Sequence, residues 1–426
     1  MAQNFLPFNL EITNDEITAN AGLALFGEFV RSLGLLNDID RLLPKPGSAI
    51  GYSPSEFIDP IILMLHGGGK TLEDLRKIRN DTGLKRILNI EAVPSPDATG
   101  DWLRRMGDAL AGLRALEQIE RLIIRRVLNQ DPETEYTLDI DATQIIAEKM
   151  EAKMTYKGEI GYMPIVGHLA ENGLIIGEEF RDGNEAPQAK NLEFIKHCAQ
   201  QLPKGKKIKA FRSDSAAYQA SIINYCEDEV MLFAIGADLD SAVKNAIKAI
   251  PESEWRSYGN GHIAETVHSM GGTRKAFRLI VVRRPVQLTL NGEPEMTERF
   301  RPVATNRTGS AEEALAWYNQ RGDASENRIK ELKIGFGMER MPCGTKEANA
   351  VYFRIGVLAY NLFHMFRDWA LPGEWQKYQV GTVRWRFYGV AGKIVSHAGR
   401  LSLKVSKWAF ELFMEVRLEY GEMDWT

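Results

Sequence analysis

At Glu135 the apolar periodicity of the chain changes, and that change limits the fold more than any other feature. Upstream, residues 21–33, 54–66, 72–78 and 98–128 carry apolar side chains at three- and four-residue spacing, as amphipathic helices do. From Glu135 onward Tyr136, Leu138 and Ile140 alternate with Thr137, Asp139 and Asp141, as in a strand with one buried face. Further strands are predicted at 162–170, 174–180, 207–212 and 230–235, with helices at 188–202 and 216–227. The resulting order, β-β-β-α-β-α-β, predicts an α/β class: a mixed sheet flanked by helices, behind a helical N-terminal domain.

The chain has 426 residues, 44% hydrophobic and 26% charged, enough for a soluble protein of two or three domains with a sizeable core. Residues 1–30 contain no Lys or Arg, and apolar runs such as 61–65 are too short to span a bilayer, so a cytoplasmic protein with no membrane partner is expected. Cys198, Cys226 and Cys343 lack CxxC spacing and read as neutral thiols, not a disulfide or zinc framework. The formal charge of -4 speaks mildly against a nucleic-acid ligand. Its distribution speaks the other way, because no acidic residue lies between Glu374 and Glu411. Lys377, Arg384, Arg386, Lys393, Arg400, Lys404 and Lys407 fall there, among Trp385, Phe387, Tyr388 and Trp408. Such a stretch suits a phosphate backbone or a basic amphipathic helix packed on its own chain. A second cluster, Arg76, Lys77, Arg79, Lys85 and Arg86, reads equally as a solvated helix face or a DNA contact.

Three carboxylates carry the chemistry. Asp141 and Asp214 end strand-like runs, and the order of elements matches the ribonuclease-H-like fold, in whose sheet the first and fourth strands lie side by side, so the two can meet although 73 positions separate them. Crowded carboxylates need a counter-charge, and oxygen donors without His or Cys favour Mg2+ or Mn2+. Glu326 lies on a helix predicted at 324–333 that places Glu326, Lys330 and Lys333 on one face, a metal ligand beside phosphate binders. The trio fits phosphoryl transfer with two metal ions. Asp139 competes with Asp141 because both point to one strand face, and Asp323 competes with Glu326.

Tyr318-x2-Arg321 and Glu326-x6-Lys333 resemble the Tyr-Arg-Glu-Lys signature of bacterial DDE transposases of the insertion-sequence 4 type. Residues 327–344, Asn-Arg-Ile-Lys-Glu-Leu-Lys-Ile-Gly-Phe-Gly-Met-Glu-Arg-Met-Pro-Cys-Gly, resemble more closely the insertion-sequence 1380 family. So do Leu-Asp-Ile-Asp-Ala-Thr, Phe-Arg-Ser-Asp-Ser-Ala and residues 383–395, and the likeness runs over nearly the whole chain. It implies a ribonuclease-H-like core in which Asp141, Asp214 and Glu326 are catalytic and hold two Mg2+ ions, with Mn2+ able to substitute. It also implies double-stranded DNA as partner, at terminal inverted repeats and target, a homodimer on DNA, and no nucleotide cofactor. Tyr318, Arg321, Lys330 and Lys333, with Arg384, Arg386 and Lys393 of the tail, are the DNA-binding residues expected. The signature places three residues between Arg and Glu, whereas four stand here; a Gly-containing loop ahead of the helix is expected to absorb the extra one.

Glu326 follows Asp214 by 112 positions, too many for a loop, so an inserted β-rich subdomain is expected, with strands at 277–284, 286–290 and 300–306 and an Asn291-Gly292 hairpin turn. In the insertion-sequence 4 group such an insertion contacts the transposon end. The divisions expected are 1–134, 135–240, 241–310, 311–372 and 373–426, the last helical and basic. Gly67-Gly68-Gly69-Lys70-Thr71 resembles a phosphate loop only at its end and reads as a glycine-rich helix terminus. His262 and His268 read as a strand-face pair, and Asp238 and Asp240 as turn residues. Two other readings share these residues: a ribonuclease-H-like nuclease without strand transfer, and an inactive DNA-binding relative of a transposase.

Overall fold

The computed structural model describes residues 9–47, 51–290 and 293–421. They divide into two compact units: Met1–Asp40, Lys45–Thr99 and Phe366–Thr426 make one, and Arg41–Pro44 with Gly100–Met365 make the other.

In the first unit the helix Pro54–His66 begins on a Ser53–Glu56 capping box with Pro54 at its first position, and stops at Gly67, where Gly68 takes φ +90. The glycine run is therefore a helix terminus. The predicted helix 72–78 is split, a short turn at Leu72–Asp74 leading into Leu75–Asn80. The tail departs from the expected helical region. Gly392–His397 and Arg400–Lys404 form a hairpin, because Ala398 and Gly399 both take positive φ, at 49 and 75, as a two-residue turn requires. Glu16–Thr18 adds a third strand, and only Lys407–Gly421 beyond it is helical. Phe26, Phe366, Phe387 and Tyr388 pack edge-on and tilted at the centre of this unit.

The second unit carries a nine-stranded sheet: β1 (Glu135–Ala142), β2 (Ile165–Leu169), β3 (Ile175–Glu179), β4 (Lys207–Ser213), β5 (Leu232–Gly236), β6 (Arg256–Tyr258), β7 (Gly261–His268), β8 (Phe277–Leu290) and β9 (Glu293–Thr305). Their spatial order is β6-β7-β8-β9-β5-β4-β1-β2-β3, with β1, β4 and β5 parallel and every other pair antiparallel. The strands expected in a separate insertion thus extend the same sheet, through β9 pairing with β5. Strands predicted separately at 277–284 and 286–290 are one, running through Pro285, which lies beyond the last β7 partner and opposite Glu298 of β9. The Asn291-Gly292 turn lies outside the described residues.

Helices α1 (Ala111–Gln130), α2 (Asn191–Gln201), α3 (Ala220–Asp228), α4 (Ser241–Lys248), α5 (Ala311–Lys330) and α6 (Lys346–Met365) surround the sheet. The helix predicted at 98–128 is interrupted at Leu110, whose φ of 58 no helix accommodates, leaving Pro96–Gly107 and α1. On β1 the polar positions are buried as well as the apolar ones: Leu138 meets Phe194 and Cys198 of α2 around Gly167, while Asp139 faces α5. A strand covered on both faces must find partners for its polar side chains. Helix α5 starts on a Ser310–Glu313 capping box and buries Ala311, Ala314, Leu315 and Tyr318 against β5, β7, β8 and β9. No helix among the described residues is long and apolar enough to cross a membrane.

Candidate active site

Register brings the first two carboxylates together. Asp139 of β1 lies opposite Arg212 of β4 in a parallel ladder. Two residues further along each strand, on the same face, come Asp141 and Asp214. Asp214 stands just past the end of β4, exposed, with Oδ1 accepting the Ala216 amide at 3.0 Å. A groove of about 530 Å³ opens beside it, lined by Met154, Tyr156, Asn184 and Gln188.

Helix α5 delivers the remaining residues. It runs unbroken through Gly322, so the extra residue between Arg321 and Glu326 sits within a helix and not in a loop. The Asp323 side chain lies outside the described residues. Glu326 and Lys330 are exposed. Arg321 is half-buried, with its side chain 11% exposed, and its Nη2 lies 3.6 Å from Asp141 Oδ2 and donates to the Ile140 carbonyl at 3.4 Å. A wider, π-type turn at Glu331–Gly335 follows, and Lys333 Nζ donates to the Gln144 carbonyl at 2.6 Å. Burial draws the Lys333 ammonium below the usual lysine range. Tyr318 is buried, with the Arg301 guanidinium 5.4 Å from its ring; a Cβ built on Gly236 would lie 3.0 Å from its hydroxyl. It borders a cavity of about 560 Å³ that Arg284, Arg299, Arg301, Tyr258 and Phe300 also line.

Asp141 records what surrounds it. Burial pushes its carboxyl up to about 6; Asp214 and Glu326 push the same way, against Arg321 and the Ala142 amide. Asp141 is therefore within electrostatic reach of both other acids. Among the described residues no three His, Cys, Asp or Glu side chains stand close enough together to hold an ion. The donor set is nevertheless of the right kind for a hard divalent cation: carboxylate oxygens that repel one another, with no His or Cys among them.

Asp139, the rival acid, is fully buried and occupied. Its Oδ1 accepts Arg212 Nε at 2.7 Å and its Oδ2 accepts Arg212 Nη2 at 2.8 Å. Ser325 Oγ lies 3.1 Å from both Asp139 Oδ2 and His168 Nε2. Sequence reasoning passed over Arg212, Ser325 and His168. One signal was available, since Arg212 precedes Asp214 by the offset at which Asp139 precedes Asp141.

The tail residues belong to the other compact unit. Arg384 donates to the carbonyls of His66 and Leu65, both at 2.7 Å, closing the helix Pro54–His66. Arg386 lies over the rings of Trp375 and Tyr378, at 5.1 and 4.9 Å, and Lys393 pairs with Asp15 at 2.8 Å. Asp240 caps α4 through the Val243 amide at 2.8 Å. The three cysteines are buried and free, and burial pushes the Cys226 thiol up to about 12.

The family described as transposase DDE domain, group 1, matches residues 7–414. The chain belongs to this DDE transposase family. No curated protein matches it. Among solved structures, this DDE-family chain is similar to a piggyBac transposase in a cryo-EM synaptic complex with hairpin DNA. The two are 12% identical, with a TM-score of 0.44 over 83% of this chain and 77% of that one.

Proposed function

We propose that the chain is a DNA transposase of the insertion-sequence 1380 type, with a ribonuclease-H-like core, that cuts and joins phosphodiesters at terminal inverted repeats. The observation that carries this reading is geometric: the parallel register of β1 and β4 leads to Asp141 and Asp214 on one face, and Arg321 of the helix that bears Glu326 lies 3.6 Å from Asp141. The acids come from two strand ends and a helix, and Arg321 of that helix and Lys333 just after it reach Asp141 and the Gln144 carbonyl.

In this reading Asp141, Asp214 and Glu326 would hold two divalent ions, Mg2+ or Mn2+. Bound there, such ions supply the positive charge that acidifies an attacking water or 3'-hydroxyl and offsets charge on the leaving oxygen. The rest falls to the chain. Arg321, the counter-charge of Asp141, and Lys333 would meet the approaching phosphate, with Lys330 exposed one helical turn from Glu326. Tyr318 would set the strand against the edge of β5, beside Arg284, Arg299 and Arg301, none of which has an ion pair among the described residues. Arg386 and Lys393, exposed on the other unit, would contact backbone phosphates. Two copies acting together would process two ends.

The test is cleavage of a DNA fragment bearing the element's terminal repeat, with Mg2+ and with EDTA. The intact protein should cut only with the metal, and Asp141→Ala, Asp214→Ala and Glu326→Ala should each lose at least about a thousandfold in rate. Normal cleavage by any of the three variants would remove that residue from the site. Binding without cleavage by the intact protein would favour an inactive DNA-binding relative, and cleavage without joining a simple nuclease.

A further inference from the structure

Beneath the three acids lies a buried cluster that touches every element carrying one of them. Arg212 of β4 gives Nε and Nη2 to Asp139 of β1, and gives Nη1 to the Trp317 carbonyl of α5 at 2.8 Å. Its guanidinium also lies 5.0 Å from the Trp317 ring. Ser325 of α5 adds its hydroxyl to Asp139 and to His168, the β2 residue opposite Asp139 in the sheet. Four of its five members, all but His168, are offset by one or two residues from a site residue. Asp139 precedes Asp141, Arg212 precedes Asp214, Ser325 precedes Glu326, and Trp317 precedes Tyr318.

Resting on the reading just given, we infer that Arg212, Asp139 and Ser325 form a positioning device that fixes the spacing of Asp141, Asp214 and Glu326. Four features carry this. First, a bidentate guanidinium–carboxylate pair has one geometry, unlike a contact between apolar side chains, and so sets the distance and rotation of β1 against β4. Second, the pair is desolvated: Asp139 is 0% and Arg212 2% exposed, so neither partner can be released to water cheaply. Third, α5 meets the sheet here through directed hydrogen bonds from Arg212 and Ser325, which fix its slide and roll where Glu326 leaves it. Fourth, none of the three side chains lies at the surface where DNA would bind, so none is spent on substrate.

The test is Mn2+ binding by the purified full-length chain, followed by the electron paramagnetic resonance of free Mn2+, with circular dichroism on the same samples. Ser325→Ala removes one hydroxyl and should fold, with a small change in melting temperature. It should bind Mn2+ about tenfold more weakly, and Ser325→Thr, which keeps a hydroxyl, should recover most of the loss. Arg212→Lys should lose between about tenfold and a hundredfold, since an ammonium cannot make the bidentate pair. Native Mn2+ affinity in folded Ser325→Ala and Arg212→Lys, while Asp141→Ala loses the ion, would overturn the positioning role alone. If the intact chain takes up no Mn2+, or Asp141→Ala binds it equally well, the metal-site reading falls and this inference with it.

Discussion

Arg321 Nη2 stands 3.6 Å from Asp141 Oδ2, so a guanidinium holds the place of counter-charge beside a carboxylate that burial, Asp214 and Glu326 all disfavour as an anion. A carboxyl near 6 in the fold and near 3.8 when exposed retains its proton longer in the folded state. Stability from this group therefore falls as pH rises from about 4 to about 6, by at most about 3 kcal/mol, and stays lost above that. Without divalent ions, Asp141→Asn should stabilise the protein at pH 7.5 and little at pH 4. Urea unfolding of both proteins with EDTA measures it, and an equal effect at the two pH values would contradict the assignment.

Under the proposed function, protons and divalent ions would compete for Asp141. Mn2+ affinity should drop as pH falls below about 6, and Arg321→Ala should move that drop upward, because the arginine favours the ionised carboxylate. Titrations at pH 5, 6 and 7.5 would show it; an affinity independent of pH over that range would not fit.

Gly236 tests Tyr318. An alanine there would set its Cβ 3.0 Å from the tyrosine hydroxyl and 3.3 Å from the Ser215 amide, next to Asp214. Gly236→Ala should cost about 1 kcal/mol in stability but at least about tenfold in cleavage, since small displacements at a reacting centre are expensive. Full activity in the variant would mean that Tyr318 has no role in placing the strand.

The buried pair predicts a large asymmetry. Removing one partner, as in Asp139→Ala, should cost about 3–5 kcal/mol by leaving Arg212 uncompensated in the interior. Asp139→Leu combined with Arg212→Met should recover part of that stability without recovering Mn2+ binding. Denaturant midpoints against ion affinity separate the two effects.

Arg384 and Arg386 should behave differently although they are two positions apart. Arg384→Ala leaves the Leu65 and His66 carbonyls without their donor and should lose about 1–3 kcal/mol in a urea melt, with the salt dependence of DNA binding unchanged. Arg386→Ala and Lys393→Ala should each leave stability within about 1 kcal/mol and make the slope of log affinity against log salt shallower by about one. Anisotropy with a labelled duplex across salt concentrations reads the slopes.

Local rules were sufficient wherever neighbours along the chain decide the outcome. Ser53, Pro54 and Gly68 set the ends of one helix, alternation set β1, and the order of strands and helices set a mixed sheet with Asp141 and Asp214 at its strand ends. The tail hairpin was hidden because its turn, Ala398-Gly399, lacks the usual Asn or Asp and only backbone dihedrals reveal it. The continuous α5 was hidden because Gly322 reads locally as a breaker, a weak preference that packing along the helix outweighs.

Asp139 marks the boundary between the two kinds of knowledge. Its sequence context is nearly that of Asp141: same strand, same face, two positions away. Composition and spacing led to the expectation of acids at this strand end, with a third on a helix further along the chain. Only the tertiary structure shows how the surroundings of the two aspartates differ, by setting Arg212 opposite Asp139 and Arg321 beside Asp141. The physical reason is that a carboxylate's role follows from the charges and hydrogen-bond donors around it, and here those arrive from strands and helices 73 to 186 positions away.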